Sequence, residues 1–410
     1  MAVVRPFRAL RPNGRLAERI AALPYDVMNS VEAKDMVEGN ELSFLRIDRA
    51  EINFPEILDP HDPRVYAKAR EILDRMIAQQ ELIQDPQPYF YIYRQIMDGR
   101  AQTGLVACTA IDDYNNDVIK KHEYTRPDKE QDRIDHIKAL QAQTGPIFQT
   151  YRDNEEITKL ITDWTESHRP LYEFHAYNVD QICWVVDCPD TMEKLASLFQ
   201  GLDLYIADGH HRSAAAVRVG MEMRKQNPDP QAEFNYFLSV LFPASDLKIW
   251  AYNRLVRDLA GASTEEFFQS IQARFLLETA PVSPYAPEEK GTFGMYLGGQ
   301  WYKLTPRPGV VPGEDLVKSL DVSVLQDQLL QPILKIEDPR TDERIEFVGG
   351  IRGLKELERR VERDMTVALS LYPTSIQEIM AVADNGQVMP PKSTWFEPKL
   401  LSGLFIHKLT

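Results

Sequence analysis

From Leu204 to Ala207 the chain is apolar. It then turns sharply polar at Asp208-Gly209-His210-His211-Arg212, before the small residues Ser213-Ala214-Ala215-Ala216. A strand over Leu202–Ala207 that feeds a helix over Ser213–Lys225 through so tight a corner is the signature of an α/β or α+β fold. Gly209 permits a left-handed backbone or the close approach of a ligand. The amides that follow point outward from a helix start, where the macrodipole favours an anion. Arg212 adds a planar fork suited to phosphate oxygens. Ala214 to Ala216 let the helix sit close to a sheet. Apart from the acid at Asp208, every part of the corner suits a phosphate. The plain alternative is a packed turn, yet two adjacent histidines with an Asp and an Arg exceed what a turn needs. Zinc is a weaker reading, because the chain has no HExxH motif and no Cys pair.

The rest of the pattern agrees with a mixed fold. Tyr89–Met97 and Gly104–Ile111 read as a hairpin about the turn pair Asp98-Gly99. Asn29 or Ser30 caps a helix that begins at Val31. Ser43–Asp48 reads as a strand and Val65–Gln80 as a helix. Pro127 opens a helix to about Gln143, closed by Gly145-Pro146 ahead of a strand to Tyr151. Ile182–Val186 is a strand, Thr191–Phe199 a helix, and Phe234–Phe242 and Trp250–Val256 are strands. Further on, Phe267–Phe275 is helical, strands meet at Gly298-Gly299, and helices cover Val322–Leu330, Gly353–Arg363 and Ser375–Asp384.

A length of 410 residues exceeds one compact core. The spans 1–112, 113–245 and 246–410 read as an N-terminal α/β lobe, a catalytic core and a C-terminal α/β lobe. A formal net charge of -15 weighs against nucleic acid as a partner, since duplex binding needs clustered Lys and Arg. Cys108, Cys183 and Cys188 are the three cysteines and form no CxxC pair, which fits a reducing compartment. No signal peptide and no run of about 18 apolar residues is present. The expectation is a cytoplasmic protein without a membrane partner.

Two further groups carry candidate chemistry. Lys121-His122-Glu123-Tyr124-Thr125-Arg126 precedes the charged helix that holds Lys129, Asp132, Arg133 and His136. A carboxylate here could take a proton from a substrate hydroxyl. Arg126, Lys129 and Arg133 fall at helical spacing and could face a phosphate. The alternative for the helix is a solvated face paired as Lys129–Asp132, Glu130–Arg133 and Asp132–His136. Near the C-terminus, Lys392-Ser393-Thr394, with Lys399 and Ser402-Gly403, could bind a carboxylate or phosphate; a surface loop is the equal alternative.

Asp208 to Arg212 resembles the signature of free serine kinases built on the ParB/sulfiredoxin-like fold, whose related corner binds nucleotide phosphates. A larger bacterial and archaeal family, long catalogued as a domain of unknown function, is similar at the same corner. The resemblance extends back through His122-Glu123, the charged helix and Gly145-Pro146-Ile147-Phe148. It departs from the small kinases in an insertion of roughly Tyr151 to Leu202. Leu23–Val27 and Met389–Gly403 resemble blocks of the larger family.

The resemblance implies a ParB/sulfiredoxin-like core with flanking lobes and an enzyme that phosphorylates free L-serine to O-phospho-L-serine. ATP, ADP or pyrophosphate would be the donor, and no Walker-type loop is present. Glu123 is then the base, with His122 and Asp208 as further catalytic residues. Asp208, Gly209, His210, His211, Arg212 and Ser213 bind the donor phosphates. Lys392, Ser393, Thr394 and Arg126 bind the acceptor. Mg²⁺ is the expected cofactor, with Asp208 as its ligand, directly or through water. A ParB-like nucleotide switch without kinase activity is the rival. It would be expected to carry a basic DNA-binding helix, and the acidic chain shows none. A phosphodiester hydrolase would need clustered carboxylates, and no such set stands out.

Overall fold

The computed structural model describes residues 1–313 and 315–410. The chain is mixed α/β and divides into two compact units. One comprises Met1–Lys121, Thr125–Leu247 and Pro398–Thr410; the other comprises His122–Tyr124 and Lys248–Glu397.

The first unit is organised by a nine-stranded sheet. Its order is Ile119–Lys120, Leu204–Asp208, Ile147–Tyr151, Tyr236–Pro243, Arg100–Ala110, Phe90–Met97, Val179–Val186 and Tyr172–Ala176, with Val4–Arg5 also on Arg100–Ala110. Strands from either side of residue 112 therefore share one sheet. The hairpin forms at the expected turn, and Asp98 and Gly99 both take positive φ, 52° and 76°, as a two-residue turn with this twist requires. Leu204–Asp208 pairs in parallel with Ile119–Lys120 and antiparallel with Ile147–Tyr151. The register shifts between Ile206 and Asp208, an irregularity that re-aims the end of the strand. Ile206, Ile147, Leu241, Ala215 and Ala216 belong to one buried apolar cluster, so the small residues do place the corner helix close to the sheet. A second cluster joins Leu10, Phe44, Leu45, Ile47, Ile72, Leu73, Met76 and Ile406.

Two local expectations need correction, and one element was not foreseen. Ser43–Asp48 is not a strand: Leu45–Asp48 is helical, and the amides of Arg46, Ile47 and Asp48 close turns onto Ser43 and Phe44. Phe44, Leu45, Ile47 and Asp48 are all buried, and a short apolar run fits either period until its neighbours decide. The corner helix begins three residues early and spans His210–Gln226. An additional helix, Glu155–Ser167, sits inside the insertion, capped by Asn154 and burying Ile157, Ile161, Trp164 and Thr165. Elsewhere Asn29 caps Ser30–Met36 in a capping box with Glu32, and the Pro-led helix spans Pro127–Leu140.

The second unit holds a six-stranded antiparallel sheet in the order Phe275–Thr279, Gln300–Pro306, Phe293–Leu297, Val367–Leu371, Tyr252–Val256 and Ile345–Gly349. Leu255, Tyr285, Tyr296, Trp301, Leu357 and Ala368 form its core. The helix expected over Val322–Leu330 is α-helical over Asp321–Leu325 and continues as π-helix to Leu330. No helix among the described residues is long and apolar enough to cross a membrane.

Candidate functional site

The corner lies wholly in the first unit. Gly209 is the N-cap of the 17-residue helix, at φ 94° and ψ 31°, and makes no side-chain cap hydrogen bond. His210, His211 and Arg212 therefore form the first helical turn, where amide donors have no partner within the helix. The amide and hydroxyl of Ser213 both donate to the Gly209 carbonyl, at 2.9 and 3.0 Å. A Cβ on Gly209 would stand 3.1 Å from Nε of Arg212. Positive φ and this close approach both demand glycine. Gly209→Ala is expected to cost about 1–2 kcal/mol, read as a lower midpoint in chemical denaturation; an unchanged midpoint would count against the strained corner.

Arg212 is buried and serves the corner itself. Its Nη1 donates to the Pro146 carbonyl at 2.8 Å, and its Nη2 lies 3.6 Å from Oδ2 of Asp208. The ammonium of Lys399 lies 3.6 Å from that same oxygen. Asp208 keeps 33% side-chain exposure, against 10% for each cation. Burial disfavours its charge, but Lys399, Arg212 and His210 outweigh burial and hold the carboxyl below its usual range. Arg212 was expected to offer its fork to phosphate; part of that fork already faces Pro146 and Asp208.

Arg126 meets the corner through its backbone. Its amide donates to Nε2 of His211 at 3.0 Å, which in a neutral ring places the imidazole proton on Nδ1. The Arg126 side chain is exposed and pairs with Asp128 at 2.9 Å. Farther along that helix, Arg133 is buried, pairs with Asp132 at 2.6 Å and lies 3.8 Å over the ring of Tyr25. Asp132 also accepts from Tyr66, and Glu130 pairs with Arg218 and accepts from Thr125. These pairs replace the expected Lys129–Asp132 and Glu130–Arg133. A cavity of about 30 Å³ adjoins Arg212, lined by Tyr25, Asp48, Arg133, His136 and Thr144 together with Ile137, Ile147 and Leu238. That is room for about one or two waters, not for a nucleotide. Burial is the main cause that brings His136 down to about 4, so the ring is neutral at pH 7.

The remaining expected residues belong to the second unit. His122 is buried, and its carbonyl accepts from the Met389 amide at 2.8 Å. Glu123 is partly exposed and Tyr124 is 75% exposed. Lys392 has φ 59°, and its carbonyl accepts from Arg254. Ser393 donates to the Pro390 carbonyl at 2.6 Å, and its own carbonyl accepts from the Thr374 hydroxyl. Arg254 and Ser393 are buried, so Lys392-Ser393-Thr394 is a fixed turn and not a loose surface loop.

Magnesium on Asp208 does not fit these surroundings as a protein-held ion. The carboxylate already faces two cations, and no group of three or more His, Cys, Asp or Glu among the described residues could hold a metal. Mg²⁺ takes hard oxygen ligands, and beyond one or two carboxylates it draws them from water and substrate phosphates.

Sequence reasoning missed two contributors. Lys399 was grouped with the C-terminal loop, although its place is at Asp208. Tyr25 drew notice as part of a family block, and its contact with Arg133 has no local sequence signal.

Three solved structures resemble the chain distantly. A free serine kinase in complex with AMP is 14% identical, aligned over 72% of this chain and 86% of its own, with a TM-score of 0.35. SbnI with a C-terminal truncation, from Staphylococcus aureus, is 13% identical over 72% and 85%, at 0.39. A conserved hypothetical protein from Pyrococcus furiosus is 15% identical over 73% and 94%, at 0.34. No curated protein matches the sequence. Residues 4–323 match the family model described as "Protein of unknown function (DUF1015)", and with most of its length inside that match the chain belongs to this family.

Proposed function

We propose that the chain transfers a phosphoryl group to the hydroxyl of free L-serine, giving O-phospho-L-serine, with ATP, ADP or pyrophosphate as donor. The observation that carries the reading is the start of the corner helix. Gly209 leaves its first turn without a side-chain cap, and the adjoining carboxylate is outnumbered by two cations. Amide donors, with cations that offset a nearby carboxylate, are what a phosphate group needs. The serine acceptor and the ParB/sulfiredoxin-like core come from the resemblance of Asp208–Arg212 and His122-Glu123 to the free serine kinases.

In the reaction, the serine oxygen forms a bond to the terminal phosphorus of the donor. The bond to the leaving phosphate oxygen breaks, and that oxygen keeps the electron pair. Glu123 takes the hydroxyl proton. Amides of the corner helix, with Ser213 and the histidines, hold the donor oxygens. Lys392, Ser393, Thr394 and Arg126 are assigned to the acceptor side. Mg²⁺ belongs to this proposal as the counter-ion carried by the donor, and no step is routed through Asp208.

The test is direct. Purified protein is incubated with Mg²⁺, L-serine and, separately, ATP, ADP and pyrophosphate, and phosphoserine is sought by mass spectrometry. Phosphoserine with one donor is expected. No product with any donor, in folded protein, would overturn the reading; donor binding without product would favour the nucleotide switch.

A further inference from the structure

An acid beside a phosphate site calls for an explanation, and the first unit supplies one. Asp208 alone would repel a donor, and Arg212 is shared between Asp208, Asp26 and Asp48. Lys399 changes the balance. Its side chain is 10% exposed and shares Oδ2 of Asp208 with Arg212 at the same 3.6 Å. Arg212 also lies in the field of Asp26 and Asp48, so the ammonium of Lys399 offsets an acidic surrounding, and the Asp208 carboxylate fixes where it stands.

Lys399 reaches this place on a segment that follows Glu397 and returns to the first unit. A row of buried amides receives it. Gln181, Gln95 and Gln102 lie directly opposite one another on three neighbouring strands, and each is at most 3% exposed. Gln102 donates to the Gln95 oxygen at 2.9 Å; Gln95 donates to Gln181 and to the Lys399 carbonyl, at 3.2 and 2.9 Å; Tyr93 donates to Gln181. Burying three primary amides is costly unless each is satisfied. The row is satisfied by running its donors out to the backbone of Lys399, with a longer contact from Gln102 to the Pro398 carbonyl. Apolar residues would pack the sheet equally well, but they would not fix this backbone.

We propose that Lys399 is a positioning residue of the donor corner, held by the Gln181–Gln95–Gln102 row so that its ammonium offsets the Asp208 carboxylate beside the donor phosphates. The proposal rests on the reading that the corner takes donor phosphates.

The test titrates inorganic pyrophosphate, without serine, into wild type, Lys399→Met, Lys399→Gln and Lys399→Arg by calorimetry at two salt concentrations. Both neutral variants are expected to bind about tenfold more weakly, a factor typical of one charge-assisted contact. Their affinity should also depend less on salt, and Lys399→Arg should restore both. A merely structural lysine would not alter the salt dependence. If either folded neutral variant keeps wild-type affinity and salt slope, or if arginine fails to restore them, the proposal is overturned while the corner reading stands. A wild-type protein that binds neither pyrophosphate nor ADP overturns both.

Discussion

Glu123→Gln is expected to lower the rate of serine phosphorylation by about 10²–10⁴-fold while donor affinity stays nearly unchanged. The amide keeps the size and hydrogen-bonding reach of the carboxylate but cannot accept the proton. Positioning and charge neutralisation at the corner would survive, so the loss should fall on turnover. Single-turnover kinetics with saturating donor gives the rate, and calorimetry with the donor alone gives the affinity. A variant that phosphorylates serine at the wild-type rate would remove Glu123 from the mechanism. Glu123 is partly exposed, and circular dichroism checks that the variant keeps its fold.

Arg212→Ala carries the largest expected effect on stability. The side chain is 10% exposed, its Nη1 holds the Pro146 carbonyl, and its Nη2 faces Asp208. Removing one partner of a buried charged arrangement typically costs about 3–5 kcal/mol. Denaturant unfolding should show a loss of this size. A loss below about 1 kcal/mol, the range of exposed pairs, would mean that the guanidinium does not organise the corner. Arg212→Lys should recover little, since an ammonium cannot reproduce the fork that reaches both partners. Donor binding should weaken in Arg212→Ala; unchanged affinity would sink the assignment of phosphate to this corner.

What the sequence discloses follows the range of the forces involved. The hairpin at Asp98-Gly99, the capping box at Asn29 and Glu32, and the strand that breaks at Gly209 are set within a few residues, so they are legible in one dimension. Ser43–Asp48 is misread because six residues with apolar Phe44, Leu45 and Ile47 are too short to fix a period, and the buried neighbours of Phe44 and Leu45 decide it. The position of Lys399 at Asp208 spans 191 residues of chain, the difference between the two numbers, and no local pattern announces it. Gln95, Gln102 and Gln181 give no local signal of their role either. A polar residue in a strand reads as solvent-facing, whereas these face a backbone segment from the far end of the sequence. The role of Arg212 is half legible: its type is right for an anion, but the Pro146 carbonyl that occupies it is not foreseeable.

The division of the chain has a consequence for its synthesis. Residues 248–397 are built after most of the first unit and before its last segment, Pro398–Thr410. That segment carries Lys399, bridges Ala22 through Ser402 and Leu10 through Ile406, and pairs His407–Lys408 with Ala142–Gln143. The nine-stranded sheet is complete without that segment, but a nascent chain must hold Ala142–Gln143 without its partner strand and the corner without Lys399 while about 150 further residues emerge, on the order of ten seconds or more at usual elongation rates. Pro398–Thr410, made after the whole of the second unit, is the keystone of a part of the molecule made before it.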